Sequence, residues 1–250
     1  MKKFVVHPDY QHLSEAILDT LMHLEDRGVP LVEIGRNTIK KVDLGDVTIN
    51  VKKFKIPILI QALIYQFFRK SKAQRSFEHS LKLNSMGIMT PAPVAYWEEY
   101  KFGLKRSFYV SVQLDYDFDF RTLNHKVDWP NRDGILRAFT KFTYLMHEKG
   151  VLFKDHSPGN TLIIEKPQGH YNFYLIDLNR MRFKPLSREE RIKNFSRLWL
   201  SRHMIAVMAP VYAELTNDDP QKVEADMIRY GRKFRKYIIR KLRRRRKKQA

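Results

Sequence analysis

The order of elements across residues 132–177 constrains this chain most. Ile135, Leu136, Phe139, Phe142 and Met146 recur at helical spacing, and Gly150 ends the helix they define. A polar loop follows, from Asp155 through His-Ser-Pro-Gly to Asn160. Two short apolar runs come next, Thr161-Leu-Ile-Ile and Tyr174-Leu-Ile-Asp177, parted by a loop around Pro167 and Gly169. Runs this short, bounded by turn residues, read as buried strands. Two carboxylates and one amide thus sit at the ends of ordered elements, in a fixed sequence.

The elements upstream are of another kind. Leu13, Ala16, Ile17, Leu21 and Leu24 predict a helix from about 10 to 27, ending near Gly28. Asn37 to Leu44 and Val47 to Phe54 predict two strands joined tightly at Gly45-Asp46. Residues 58–85 carry a helical pattern interrupted near Ser71 and closed by Gly87. Beyond the rigid Pro91-Ala-Pro93, Val94 to Glu99 and Lys105 to Leu114 predict a second hairpin. Asp115 to Phe120 is an acidic, aromatic connector, and two or three helices are expected from about 187 to 245. The fold class is therefore α+β, with a small sheet-based N-lobe over 1–114 and a mainly helical C-lobe over 115–231, followed by a basic tail over 232–250. Its 250 residues suffice for such a pair of lobes.

Composition excludes several chemistries. With no cysteine, disulfides, thiolate zinc sites and cysteine nucleophiles are ruled out, and a reducing compartment fits. The nine histidines show no H-x-x-x-H or H-E-x-x-H spacing, and Ser157-Pro-Gly does not match a serine-hydrolase elbow. The opening apolar run stops at His7, too short for a signal-peptide core. The stretch Ile56 to Phe68, broken by Pro57, Gln61 and Gln66, falls short of the ~20 residues that span a bilayer. That stretch, with Arg69, Lys70 and Lys72 at its end, reads equally as a helix on the small lobe or as one lying in a membrane interface. The net charge is +20, and more than half of it comes from twelve Lys or Arg after Gly231, where there is no acid. Such a segment implies an anionic partner: a lipid surface, with nucleic acid as the lesser alternative.

The loop suggests its own chemistry. Phosphoryl transfer to a hydroxyl needs a carboxylate to orient the attacking oxygen, and hard oxygen ligands for magnesium on the nucleotide. Asp155 suits the first role; Asn160 and Asp177 suit the second. The bland alternatives are an Asx turn at Asp155 and Asn160, and a helix N-cap at Asp177.

The Asp155-x4-Asn160 segment resembles the H-R-D-x-x-x-x-N loop of protein kinases, and Asp177 resembles the aspartate of D-F-G. The wording Pro-Gly-Asn and Ile-Asp-Leu-Asn is closer to the lipopolysaccharide core kinases that act on Kdo and heptose. Arg75-Ser-Phe-Glu78 and Met86-Gly87-Ile-Met-Thr-Pro91-Ala-Pro93 share that likeness, which covers roughly residues 35–180. The aminoglycoside phosphotransferases follow the same plan. The resemblance implies a two-lobed protein-kinase-like fold that uses ATP and Mg2+ to phosphorylate a sugar hydroxyl of a glycolipid, working in the cytoplasm against the inner membrane face.

Position by position, the resemblance places the ATP lysine at Lys52 or Lys53, with Lys52 preferred because it directly follows the apolar strand. It makes Glu78 that lysine's partner and sets Gln113, Leu114 and Asp115 where a hinge would hold adenine. Asp155 keeps the acceptor role, and Asn160 and Asp177 the metal. The chain departs from the protein-kinase pattern at three points. Phe153 and Lys154 replace His and Arg, Leu-Asn follows Asp177, and no G-x-G-x-x-G is present near Gly35 and Gly45. Other acceptors, a protein or a small molecule, and an inactive pseudokinase or anion-binding adaptor are the alternatives.

Overall fold

A computed structural model of the chain describes residues 1–34 and 37–246. Gly35 and the last four residues of the basic segment lie outside the described residues. The chain divides into two compact units, Met1–Asp115 with Asp177–Asn179, and Tyr116–Ile176 with Arg180–Ala250. The stretch 115–231, expected as one continuous C-lobe, is thus interrupted by three residues that associate with the first unit.

The first unit is built on a six-stranded sheet. Its strands are β1 (Lys2–Val6), β2 (Val29–Ile34), β3 (Asn37–Asp43), β4 (Thr48–Phe54), β5 (Pro93–Tyr100) and β6 (Leu104–Val112), in the spatial order β1-β5-β6-β4-β3-β2. All pairs are antiparallel. Side chains alternate between faces. One face buries Ile49, Val51, Trp97, Phe108 and Val110 against Leu13, Ile17 and Leu21. The other packs Phe54 and Tyr96 on Ala73 and Phe77 of helix α3 (Lys72–Ser85). A short helix α2 (Leu59–Phe67) precedes α3. Ser71, at the expected interruption, caps α3 by accepting from Gln74 N at 3.1 Å. At its other end Ile88 N reaches Leu83 O and Gly87 N reaches Asn84 O, both at 2.9 Å, the paired bonds of a Schellman ending.

Two expectations change here. The first helix is shorter: a 3-10 stretch over Pro8–Leu13 leads into α1 (Ser14–Met22). Gly28 does not end it. A Cβ there would lie 2.6 Å from Lys41 O, so Gly28 lets the chain pass close under β3 at a φ of 77°. The opening apolar residues, weighed above against a signal peptide, form edge strand β1, with Phe4 opposite Trp97.

The second unit is mainly helical, with α4 (Phe120–His125), α5 (Arg132–Glu148), α6 (Arg188–Asn194), α7 (Arg202–Thr216) and α8 (Pro220–Arg246). Its core gathers Phe120, Leu136, Phe139, Ile163, Phe195, Met208 and Tyr212. The stripe predicted on α5 faces this core. A three-stranded sheet joins β7 (Phe118–Asp119), β9 (Thr161–Lys166) and β10 (His170–Leu175), and β8 (Val151–Phe153) pairs with β11 (Met181–Phe183). The basic segment after residue 231 is not a separate tail. Its described part, residues 232–246, is the second half of α8, whose first half buries Val223, Met227 and Tyr230.

Candidate active site

In the first unit, β4 sends the two lysines to opposite faces of the sheet. Lys52 lies opposite Tyr109 on the α3 face, whereas Lys53 lies opposite Phe108 on the α1 face. Lys53 pairs with Glu25. The Lys52 ammonium donates to Asp177 Oδ1 at 2.6 Å and lies 5.4 Å from the Phe54 ring centroid. Asn179 Nδ2 donates to the same Oδ1 at 2.7 Å. Both donors converge on one carboxylate oxygen. Asp177 holds a left-handed φ of 60°, an uncommon conformation that aspartate tolerates better than most residues. No helix starts there, so its N-cap reading falls away.

Helix α3 meets this segment through His79, not Glu78. The Nδ1–H of His79 donates to Leu178 O at 2.7 Å, and burial holds the imidazole pKa below its ordinary value. The carboxylate of Glu78 is held by Lys70 Nζ at 2.8 Å to each oxygen and by Gln74 Nε2 at 2.9 Å. The expected Lys52–Glu78 pair is therefore corrected: Lys52 takes Asp177 as its partner. The reason is helical phase. Ala73, Ser76, Phe77 and Ser80 form the buried stripe of α3, and Glu78 shares a flank with Gln74, one turn away.

The expected adenine hinge is committed to local bonds. Gln113 N donates to Thr48 O at 2.9 Å, its Oε1 accepts from Asn50 Nδ2 at 2.9 Å, and its Nε2 donates to Leu114 O at 3.0 Å. Asp115 lies 3.8 Å from Lys41 Nζ and is the last residue of the first unit's main segment.

In the second unit, Asp155 leaves β8 into a loop that closes on itself. Asn160 Nδ2 donates to Asp155 O at 2.8 Å, and Asn160 N donates to Ser157 O at 2.9 Å. An amide whose nitrogen is spent this way presents its oxygen elsewhere, the orientation a metal ligand needs. The Asp155 carboxylate accepts from Arg180 Nη1 at 3.0 and 3.2 Å and from Arg197 Nη1 at 3.2 Å. It caps no turn, so the Asx reading fails for this side chain. At Gly159 a Cβ would lie 3.0 Å from the Arg121 guanidinium carbon, a tight approach that the arginine side chain would have to yield to. His156 is fully buried, its ring 5.5 Å from that of Phe139 and 5.7 Å from that of Phe153, and burial pushes its pKa down to about 3. It belongs to the packing under the loop.

Arg180, Arg197, His79 and Asn179 were not anticipated. The run Asp177-Leu-Asn-Arg180 carried a local signal for two of them. Arg197, far along the chain in a helical region, carried none.

The sequence profile described as the lipopolysaccharide kinase (Kdo/WaaP) family matches residues 35–230. A solved structure described as WaaP in complex with acyl carrier protein is similar over 92% of this chain and 98% of that one, with a TM-score of 0.64 and 18% identity. At that identity the likeness establishes the fold. No curated protein matches the chain by sequence. The profile spans well over half the chain and includes Lys52, Asp155, Asn160 and Asp177, so the chain belongs to the lipopolysaccharide kinase (Kdo/WaaP) family and, with it, to the ATP-dependent phosphotransferases that act on alcohols.

Proposed function

We propose that this chain transfers the γ-phosphoryl group of ATP to a sugar hydroxyl of the lipopolysaccharide inner core, a heptose or Kdo. The family match over residues 35–230 carries this reading. In it, Lys52 releases Asp177 to pair with the nucleotide's α and β phosphates. Asp155, its carboxylate fixed by Arg180 and Arg197, orients the acceptor hydroxyl for in-line attack. Gln113, Leu114 and Asp115 border the adenine.

The donor set fits magnesium: a carboxylate and an amide oxygen, with no nitrogen or sulfur ligand. Asp177, once released by Lys52, and Asn160, whose Nδ2 is spent on Asp155 O and leaves its Oδ1 available, are the residues that would hold it. Magnesium held there would supply charge neutralisation for the β and γ phosphates.

An acceptor carried in a bilayer places the enzyme at the inner membrane face, where the exposed, basic second half of α8 meets anionic lipid. The WaaP structure also contains an acyl carrier protein. A carrier-protein partner for this chain is the second reading, tested by whether one co-purifies with it.

The test of function is transfer of labelled γ-phosphate from ATP and magnesium to purified core glycolipid, wild type against Asp155→Ala. Label lost in the variant supports the reading. ATP binding without transfer to any core acceptor sends the search to proteins and small molecules.

A further inference from the structure

Helix α2 leaves most of its apolar side chains uncovered. Its only buried residue is Ala62. Leu59, Ile60, Leu63, Ile64 and Phe67 are all exposed, Ile60 by 70% and Phe67 by 66%. At 100° per residue these five positions form one unbroken arc of about 140°. The helix is seated on the β5–β6 hairpin by its small and polar side: Gln66 Oε1 accepts from Gly103 N at 2.5 Å, and a Cβ on Gly103 would lie 2.7 Å from the Ala62 Cβ. Phe102, beside that glycine at the tip of the β5–β6 hairpin, is 86% exposed and extends the apolar surface, as does Phe68 at the end of α2.

A fold covers an arc like this unless something else does. The surroundings say what does. Helix α2 itself contains no charged residue, and no acid occurs between Asp46 and Glu78. The flanks carry Lys55 before the helix and Arg69, Lys70 and Lys72 after it, with Lys101 next to Phe102. An apolar arc edged mainly by cations, of which Lys70 alone among the described residues is paired to an acid, Glu78 of α3, suits an anionic bilayer, with aliphatic and aromatic groups below the headgroups and the cations level with the phosphates. A second copy of the chain would bring two cationic rims together.

We propose that the outward arc of α2, together with Phe102, inserts into the surface of an anionic phospholipid bilayer. This inference rests on the glycolipid reading above for which membrane is meant, and on the exposed arc for everything else. It is distinct from the contribution of α8, which is electrostatic.

The test uses the full-length protein and co-sedimentation with vesicles of phosphatidylcholine containing anionic phosphatidylglycerol. Wild type is compared with the double variant Ile60→Gln/Phe67→Gln, whose exposed positions leave thermal unfolding unchanged. In salt of about 1 M, where charge interactions reach only about 3 Å, wild type stays bound. The double variant partitions about 100-fold less, near tenfold for each side chain withdrawn from the interface. Equal partitioning of the two proteins overturns the proposal. So does wild type that ignores vesicles and sediments as a dimer that the double variant dissolves. Phosphotransfer to a detergent-dispersed core acceptor keeps the two questions apart. If it is absent from both proteins while the partitioning difference holds, the functional reading fails and the bilayer surface stands.

Discussion

The loop holding Asp155 and the pair formed by Lys52 and Asp177 are built in opposite ways. The loop is local. Its defining bonds join residues two to five apart; from farther along the chain come the arginine clamp on the carboxylate and backbone bonds to its two ends, Lys154 N to Arg180 O and Ile176 N to Asn160 O, both at 3.0 Å. The Lys52–Asp177 pair joins residues 125 apart and exists only because β4 and the segment Asp177–Asn179 fold into the same unit. Short-range bonds survive small rearrangements elsewhere, whereas a long-range ion pair is the part that can exchange partners.

The largest break in this comparison should come from Asp155→Asn. It keeps the side chain's size and removes its charge, so kcat should fall about 10³-fold while ATP affinity measured by titration calorimetry stays near wild type. Loss of ATP affinity instead would mean that the loop is not independent of the nucleotide site. Next come the neighbouring lysines. Lys52→Met should lower kcat/KM for ATP about 10²-fold, whereas Lys53→Met, on the other face of β4, should stay within about threefold, since its exposed pairing with Glu25 is of the kind that contributes little. Equal losses would show that the register does not separate their roles.

Stability should also separate by unit. His147 and His156 are buried in the second unit, and burial depresses their pKa to about 4 and about 3. The unfolded chain binds those protons near pH 6.5 and the folded chain does not, so stability is full above that pH and is lost as pH falls. Denaturant titrations should show a loss on the order of 2 kcal/mol per pH unit between about pH 6 and 4. His156→Leu should flatten that slope by about half. The smallest effect is expected at Glu78. Its pairing with Lys70 is exposed, so Glu78→Gln and Lys70→Met should each change kcat/KM by at most about fivefold. A loss matching that of Lys52→Met would place Glu78 on Lys52 during turnover.

These contrasts also explain what the sequence made legible. Helix α5, the β3–β4 hairpin, the break at Ser71 and the loop from Asp155 to Asn160 all follow from short-range chemistry: periodicity, turn residues and caps. The alternation in β4 was readable too, but which face meets α3 was not. Edge strand β1 was missed because its only pairing partner, β5, begins at Pro93. Edge strand β2 was missed because Pro30 argues against a strand, although an edge tolerates it. Glu78 was singled out as the sole acid available, yet composition does not set helical phase. Arg197 reaches Asp155 across 42 positions, through packing that no local pattern records.

The β9–β10 hairpin has a practical use. Six register pairs run from Leu175 and Thr161 at its base to His170 and Lys166 at its tip. The tip, Pro167–Gly169, is exposed, with Gln168 and Gly169 in left-handed conformations that no sheet bond depends on. A loop closed by so long a ladder accepts added length at small entropic cost. An epitope or a single introduced cysteine at Gln168, in a chain that has no other thiol, would therefore give a labelling handle, letting an optical probe follow the protein onto vesicles with both proposed membrane surfaces left intact.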